Sequence, residues 1–403
     1  MAGSPIVVLD IGASKVVCMV GEVQADEKIK ILGVGNCPCT GLRRNVVIDM
    51  PKVVGAIGGA LREAERSAGV KITGAFVGLA GEDIITHTNR STIAISGVSN
   101  PIDEEDVQRA MTAAEQIPEQ SDARVLHRIV QSYTVDGELV QNPLWLHGHK
   151  LEVEALSITA SSHICSTLER AAREAGVDIA SFIMEPVAAA SAAVSQDEHE
   201  MGVALLDIGA GTSDLAVFHG PLRHVAEIPF GGDDLTKDLS MVLNTSPREA
   251  EQLKREYGQL LPPQEQLEKA VPYRSTANRE EQIPLEQLSA ILAARQQEIF
   301  EFVQRELDSI PHGRMLAAGL VLTGGGAQLG GVAQLGEQIL DMPVRLGAPL
   351  ETIGADVAQN PTFATAVGLL RFAAEFDGPM EAVQEAGRSE SFMDKISRLL
   401  SFF

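Results

Sequence analysis

The sequence predicts an α/β protein built from two similar lobes. Residues 8–13 read VLDIGA and residues 205–210 read LLDIGA, and at both places apolar residues come before and after a turn of small residues. Residues 320–323 form a further short apolar stretch, which ends in three glycines and precedes a helical pattern from about residue 329 to residue 340. A strand–turn–strand unit repeated in each half, with a later strand–glycine–helix unit, is typical of a duplicated α/β fold.

Composition limits the classes of function. The chain has 403 residues, of which 45% are hydrophobic, enough for two or three domains with a substantial core. Its formal net charge of -23 repels phosphate backbones, so a general nucleic-acid binder is not expected. The same charge repels anionic lipids, so membrane contact must come from a local segment.

The cysteines and the apolar runs predict a protein that is cytosolic or attached to a surface from the cytosolic side. Cys18, Cys37, Cys39 and Cys165 lack the spacing of common zinc or redox motifs, so we expect reduced thiols. Asp10 interrupts the first apolar stretch, which argues against a signal peptide. No apolar run reaches the roughly 18 residues needed to span a bilayer.

Each repeat is predicted to be a β-hairpin whose tip suits a phosphate. Glycine lets backbone N–H groups approach an anion, and hydroxyl groups and a lysine add donors. An ordinary turn is the alternative for one hairpin alone, but two copies favour a pair of tips that clamp a polyphosphate between the lobes. The candidate residues are Gly12, Ala13, Ser14 and Lys15 in the first tip and Gly209, Gly211, Thr212 and Ser213 in the second.

Two aspartates precede these tips. Asp10 and Asp207 lie at the ends of predicted buried strands, where carboxylates can hold hydrated Mg²⁺. The third cluster, Gly324, Gly325 and Gly326, follows a strand and precedes a predicted helix, a place where a nucleotide can approach closely. Taken alone this cluster also fits a turn that serves packing only.

The three segments, in this order, resemble the nucleotide-binding signature of the superfamily of actin, heat-shock chaperones and sugar kinases. Residues 185–190, EPVAAA, resemble its first connecting motif. The resemblance implies an actin-like two-lobed fold of duplicated ribonuclease-H-like domains, with ATP and Mg²⁺ as ligands. It also places Glu185 where the chaperone branch keeps a glutamate near the metal and the attacking water. Lys15 replaces a threonine of many members.

Two further segments narrow the resemblance to the FtsA family. Residues 97–117 read as a capped amphipathic helix, followed by strands at 130–135 and 151–160; this set resembles the inserted subdomain 1C of FtsA and of the pilus protein PilM. Residues 230–239 and 250–258 resemble the start of subdomain 2B. By that resemblance Gly231, Gly232, Glu251 and Lys254 are nucleotide contacts, with the last two at the ribose and adenine. The turn-rich stretch 260–279 is expected to be a surface loop.

These resemblances imply a division of the chain into subdomains. The expected ranges are 1–82 and 161–198 for 1A, 83–160 for 1C, 199–230 and 313–372 for 2A, 231–312 for 2B, 373–388 for a flexible linker and 389–403 for a C-terminal amphipathic helix.

The C-terminal segment has the pattern of a membrane-targeting helix. On a helical wheel its large apolar residues share one face, and insertion into a lipid interface fits a helix that follows a flexible tether. A helix docked on the protein's own surface is the alternative. The apolar residues are Phe392, Met393, Ile396, Leu399, Leu400 and Phe403.

The FtsA resemblance implies a function in bacterial division. We expect an ATP-binding, polymerising adaptor at the cytoplasmic face of the membrane and the division septum, which anchors filaments of FtsZ, contacts itself and lipid, and recruits other division proteins. Hydrolysis should be slow at most, and His163 and His199, the nearest histidines in sequence, are expected to be solvated or core residues. A PilM-like pilus adaptor and a sugar-kinase-type phosphotransferase are the alternatives; the tail separates FtsA from PilM, and 1C separates both from the kinase.

Overall fold

The computed structural model describes residues 5–24, 28–81, 84–95, 101–114, 122–310, 313, 315–350, 352–354 and 359–374. The described strands are β1 (Ile6–Ile11), β2 (Lys15–Val23), β3 (Ile29–Pro38), β4 (Leu42–Arg43), β5 (Val46–Val47), β6 (Gly74–Leu79), β7 (Ile85–Ala94), β8 (Ala123–Val135), β9 (Glu138–Val140), β10 (Lys150–Ser161), β11 (Asp178–Met184), β12 (Val203–Ile208), β13 (Ser213–Phe218), β14 (Leu222–Ile228), β15 (Ala270–Arg274), β16 (Glu280–Pro284), β17 (Gly319–Thr323), β18 (Val344–Leu346) and β19 (Thr352–Ile353).

The described helices are α1 (Met50–Ala68), α2 (Glu104–Ala114), α3 (Ser162–Ala175), α4 (Glu185–Ala193), α5 (Gln196–Met201), α6 (Gly232–Val242), α7 (Pro247–Tyr257), α8 (Leu285–Ser309), α9 (Val332–Leu340) and α10 (Ala364–Ala374). Short 3₁₀ turns occupy Gln264–Gln266, Gly326–Gln328 and Pro361–Phe363.

The duplication predicted from the repeat is present in the sheets. Lobe 1 carries the strand order β11-β6-β1-β2-β3-β19 and lobe 2 the order β14-β13-β12-β17-β18. In both sheets the strand that carries the repeated aspartate pairs antiparallel with its hairpin partner and parallel with a later strand. The same local arrangement therefore surrounds both tips, and the predicted α/β fold with duplicated lobes is confirmed.

An inserted domain interrupts lobe 1 between β6 and α3. Its strands lie in the order β7-β10-β8-β9, and α2 packs on one face through its own small apolar core. The sequence predicted a helix over 97–117, whereas α2 covers Glu104–Ala114 and residues 96–100 and 115–121 lie outside the described part. The predicted strands are present but longer, because β8 begins at Ala123 rather than near residue 130.

Two local expectations were wrong. The stretch 260–279 is not simply a surface loop, because β15 within it pairs antiparallel with β16 in regular register. The helix expected from about residue 329 begins at Val332, since a 3₁₀ turn follows the glycines and Gly331 takes a φ of 82°, a left-handed conformation that interrupts an α-helix.

The cysteines and the lengths of the apolar helices are as the sequence predicted. All cysteines are free, and only Cys37 is even partly accessible. Within the described residues, no helix is both long enough and apolar enough to cross a bilayer. The predicted C-terminal helix, residues 389–403, lies outside the described residues.

The lobes are joined by two helices that cross at very close range. Helix α4 and helix α10 are rich in alanine and almost entirely buried. A Cβ atom added at Gly368 would lie 1.7 Å from the carbonyl oxygen of Ala188, so only glycine permits this crossing. Helices α4 and α10 are therefore in direct backbone contact where the lobes join.

We therefore expect Gly368→Ala to lower the free energy of unfolding by about 1–3 kcal/mol, the usual penalty for forcing a methyl group into a packed interior. Gly55→Ala is the matched control, because Gly55 also lies in a helix but has no atom within 4 Å of an added Cβ. The control should raise stability by about 0.5–1 kcal/mol. Urea unfolding of both variants measures the difference, and equal stabilities would contradict the close crossing.

Candidate functional site

The two predicted tips have the same backbone geometry. In the first, the N–H of Gly12 donates to the carbonyl of Lys15 at 3.0 Å, and in the second the N–H of Gly209 donates to the carbonyl of Thr212 at 3.0 Å. These two N–H groups are thus used inside the turns. Within the described part of the chain, the N–H groups of Ala13, Ser14, Ala210 and Gly211 have no protein acceptor, so they are the free donors of the tips.

The tips meet across the cleft between the lobes. A Cβ atom at Gly211 would lie 3.4 Å from the Ala13 Cβ and 3.4 Å from the Arg44 backbone nitrogen. A cavity of about 160 Å³ opens beside this contact. It is lined by Ala13, Leu42, Arg43 and Arg44 from lobe 1 and by Gly211, Asp233, Asp234 and Lys237 from lobe 2. The structure therefore brings the two hairpins together at one site.

Four partly buried carboxyl groups lie behind the tips. The pKa of Asp10 is raised to about 6, chiefly by burial, while Lys15 opposes the shift and Asp207 adds to it. Burial also raises the pKa of Asp207, of Asp214 and of Glu185, with neighbouring carboxylates adding to the shift of the last two. Such crowding of acids in a low-dielectric interior disfavours their ionised forms.

Glu185 reaches this cluster from the start of α4. Strand β11 ends at Met184, and the helix begins at the next residue, so the glutamate sits at a strand–helix junction. A Cβ at Gly78 would lie 2.7 Å from the Glu185 Oε1, so the absence of a side chain on β6 leaves room for the carboxyl group. The pKa of Glu185 is raised well above its ordinary value by burial first and then by Asp10.

Lys15 points across to the segment that precedes α10. Its Nζ donates to the Thr362 carbonyl at 3.3 Å and lies 4.5 Å from the centre of the Phe363 ring. Burial lowers its pKa, and the charges of Asp10 and Asp207 oppose that shift. The sequence predicted the lysine but not the carbonyl and ring that hold it.

The hydroxyl groups predicted to face a phosphate differ in their surroundings. Ser14 is exposed at the first tip, whereas Thr212 and Ser213 are buried in the second. The Ser213 hydroxyl donates to the Phe230 carbonyl at 2.8 Å. Ser213 therefore ties the hairpin to the segment that leads into α6.

Gly231 and Gly232 lie behind the second tip and support it. The N–H of Gly232 donates to the Gly209 carbonyl at 2.9 Å, and that of Asp233 to the Ala210 carbonyl at 2.8 Å. A Cβ at Gly231 would lie 2.5 Å from the Ala210 carbonyl oxygen. The first turn of α6 is thus packed on the outer side of the hairpin turn.

Glu251 and Lys254 lie on α7 and bond to α6. The Lys254 Nζ lies 2.8 Å from a Glu251 carboxylate oxygen and donates to the Gly232 carbonyl at 2.6 Å. The Thr236 hydroxyl donates to Glu251 at 2.5 Å. This polar network holds both predicted side chains beside the second tip, and Thr236 is a member that sequence reasoning missed.

The third glycine cluster packs directly on the second hairpin. A Cβ at Gly324, which has a φ of 84°, would lie 2.1 Å from Asp207 Oδ1, and one at Gly326 would lie 2.2 Å from the Ile208 side chain. Gly325 faces open space. The Thr365 hydroxyl donates to Asp207 Oδ2 at 2.7 Å. Two of the three glycines are therefore required for packing against β12.

A contact that the sequence did not predict links the lobes at the mouth of the cleft. The Asn45 side-chain amide, in the turn between β4 and β5, donates to Glu227 Oε2 on β14 at 3.0 Å. Arg44 and Asn45 both have positive φ, 46° and 60°, in this turn. An asparagine is well suited to a turn with positive φ, but nothing in the sequence identifies a partner so distant along the chain.

The remaining sequence predictions concern residues away from the cleft. His163 is exposed and His199 is buried against Phe218, as expected for solvated and core histidines. The predicted membrane residues lie outside the described part of the chain.

Comparison with known proteins identifies the family. The family model for cell division protein FtsA matches residues 204–368, and that for the SHS2 domain inserted in FtsA matches residues 81–159. The chain is 36% identical to cell division protein FtsA of Pseudomonas aeruginosa over 97% of its length and 94% of the relative. It is 36% identical to the Bacillus subtilis FtsA over 95% of its length and 89% of the relative. The chain belongs to the FtsA family of cell division proteins.

Solved structures agree with the fold of this FtsA family member. The PilM–PilN type IV pilus biogenesis complex aligns with a TM-score of 0.64 at 19% identity, covering 92% of this chain and 98% of that one. The Spiroplasma citri MreB5 structure bound to ADP aligns with a TM-score of 0.56 at 16% identity, covering 91% and 95%. At these identities the likeness establishes the actin-like fold.

The buried acids predict an unusual dependence of stability on pH. Because the pKa of Asp10 is raised from 3.8 to about 6, its favourable contribution is present below about pH 4 and lost as the pH rises through 6. We expect Asp10→Asn, without added nucleotide, to raise the free energy of unfolding at pH 8 by about 1–3 kcal/mol and to change it little at pH 4.

The exposed Asp122→Asn serves as the control and should change stability by less than about 0.5 kcal/mol at either pH. Chemical unfolding at the two pH values measures both variants. An Asp10→Asn protein that is less stable than the parent at pH 8 contradicts the burial of an unfavourable charge.

Proposed function

We propose that this protein binds ATP with Mg²⁺ between its lobes. The observation that carries the proposal is the meeting of two identical hairpin turns, one from each lobe, with free N–H donors at both tips. Such donors suit phosphate oxygens. The fold neighbour MreB5 was solved with ADP, which supports the same class of ligand here.

The surrounding residues fit such a ligand. Lys15 supplies positive charge next to the first tip, and Ser14 offers an exposed hydroxyl. Mg²⁺ bound through water by Asp10 and Asp207 would offset the desolvation of their charged forms, which is the main cause of their raised pKa values. The Gly324–Gly326 turn and the polar pair Glu251 and Lys254 would hold the adenosine.

Binding requires the lobes to move apart. The two tips leave little room between them, because a Cβ atom at Gly211 would lie only 3.4 Å from the Ala13 Cβ. Helices α4 and α10 provide the axis for this movement, since they carry the closest crossing between the lobes. Bound ATP then contacts both lobes and stabilises one relative position of the two.

Hydrolysis is slow in this proposal. A general base must be ionised to accept a proton from the attacking water. The raised pKa of Glu185 disfavours its carboxylate form, and bound Mg²⁺ would only partly reverse this. ATP is therefore mainly an assembly ligand.

We expect Gly211→Val to weaken binding of ATP with Mg²⁺ by at least about tenfold, which corresponds to about 1.4 kcal/mol or more. The reason is that the branched valine side chain fills the space between the tips. Gly55→Val is the control, since its added atoms face solvent. Titration calorimetry compares the two with the parent. A parent that does not bind ATP contradicts the proposal, as does unchanged affinity in Gly211→Val.

In the cell, we infer that the protein attaches FtsZ filaments to the cytoplasmic membrane at the division septum and helps to recruit later division proteins. Membership of the FtsA family supports this role. The FtsZ contact is expected on the subdomain formed by residues 231–312, and self-association into a filament multiplies the membrane contacts. The pilus-adaptor alternative is supported only by a fold likeness at 19% identity.

Membrane attachment is assigned to residues 389–403. Six large apolar residues on one predicted helix face, each half-buried in the lipid interface, give about 5–9 kcal/mol before the cost of ordering the helix. One copy then binds reversibly. Several copies on one polymer bind far more firmly through their effective concentration.

The matched test compares two double substitutions with the same charge change. Ile396→Asp with Leu400→Asp alters the apolar face of the predicted helix, and Ser397→Asp with Ser401→Asp alters the polar face. In liposome co-sedimentation we expect the first pair to reduce bound protein at least tenfold (about 1.4 kcal/mol or more) and the second to reduce it by less than about threefold. Equal effects of the two pairs contradict the anchor.

A further inference from the structure

Strand β8 of the inserted domain touches both lobes. In the first half of β8, Ile129 is fully buried in the core that also contains Met184 of lobe 1 and Leu222 of lobe 2. In the second half, Tyr133 and Val135 pack in the separate core around α2. The first half of β8 thus packs against the lobes, and its second half packs in the core of the inserted domain.

A β-bulge produces this change of direction. Val130 pairs with Ala155 and Ser132 pairs with Glu154, so Gln131 is an extra residue without a partner on β10. A bulge re-aims the side chain of its extra residue and shifts the alternation of the residues that follow. Without it, Tyr133 and Val135 would face the same side as Ile129.

Gln131, the extra residue of the bulge, is both a hydrogen-bond donor and a hydrogen-bond acceptor to lobe 2. The Gln131 Nε2 donates to the Leu222 carbonyl at 2.8 Å, and the Gln131 Oε1 accepts from Arg223 Nη1 at 2.9 Å. Both partners open β14, which carries Glu227 further along and pairs with the second hairpin strand. The contact therefore ends on the sheet that carries the second tip.

At the other end, β8 bonds to the junction that positions Glu185. The His127 Nε2 accepts a hydrogen bond from the backbone N–H of Met184 at 3.0 Å, and His127 is fully buried. Because Nε2 is the acceptor, the ring proton resides on Nδ1. Met184 immediately precedes Glu185, so this bond fixes the backbone from which the glutamate projects.

We propose that β8 is a brace between the inserted domain and the nucleotide cleft, in which His127 positions Glu185 and Gln131 holds lobe 2. The inference rests on the proposed ATP site for its functional consequence. A displacement of the inserted domain moves the Met184 junction and the start of β14 together. Occupation of the cleft and the position of the inserted domain are then energetically coupled, and coupling of this kind is reciprocal.

The test uses the full chain with paired variants. His127→Gln keeps an acceptor oxygen near the position of Nε2, whereas His127→Leu keeps the bulk and removes the acceptor. Gln131→Leu removes both bonds to lobe 2, and Ser132→Ala is its control, since Ser132 is regularly paired with Glu154. Two quantities are measured: hydrogen exchange of the Met184 amide and the dissociation constant for ATP with Mg²⁺.

We expect His127→Leu to speed exchange of the Met184 amide at least about tenfold and to weaken ATP binding about 5- to 20-fold, with His127→Gln within about twofold of the parent in both. Gln131→Leu should weaken binding about fivefold or more and Ser132→Ala should not change it. Rescue by glutamine separates positioning from a merely structural loss.

The brace is overturned if His127→Leu leaves amide exchange unchanged, or if His127→Gln is as impaired as His127→Leu. If His127→Leu does not fold, unchanged ATP binding in Gln131→Leu overturns it. If the parent protein does not bind ATP, the proposed function is wrong, whereas the brace is not thereby contradicted. In that case the exchange of the Met184 amide, which needs no nucleotide, still decides whether His127 holds the junction.

Discussion

The gathering of four partly buried carboxyl groups where the two lobes meet is the constraint on which the rest of the structure depends. Asp10, Asp207, Asp214 and Glu185 are each only partly accessible to solvent, and desolvation raises the pKa of each. Such a cluster costs stability when it is ionised. Hydrogen bonds to the carboxylates, such as the one from the Thr365 hydroxyl to Asp207, reduce this cost. A bound divalent cation would reduce it further.

The scaffold around this cluster is duplicated, but the supports of its two halves differ. The first tip is held by the segment before α10, through Lys15. The second is packed between the start of α6 and the turn at Gly324. The inserted domain adds a third support that reaches both lobes through β8. The lobes, their crossing helices and the inserted domain therefore all contact the elements that carry the acids.

The sequence predicted what local patterns encode. Both hairpins and the duplication follow from a repeated motif, the inserted domain was implied by the resemblance to the FtsA family, and the structure has all of them. Helix ends were less predictable, because the left-handed Gly331 and the 3₁₀ turn before it delay α9. The Asn45–Glu227 and His127–Met184 contacts could not be predicted, since their partners lie 182 and 57 positions apart and a single polar residue gives no long-range signal.

The central claim is that two duplicated hairpins close on one triphosphate. A crystal structure of the full chain grown with ATP and Mg²⁺ tests it most directly. Phosphate oxygens should lie within hydrogen-bond distance of N–H groups in both residues 12–15 and residues 209–212, and the metal should lie next to Asp10 and Asp207. A nucleotide bound elsewhere, or touching only one of the two tips, would contradict it.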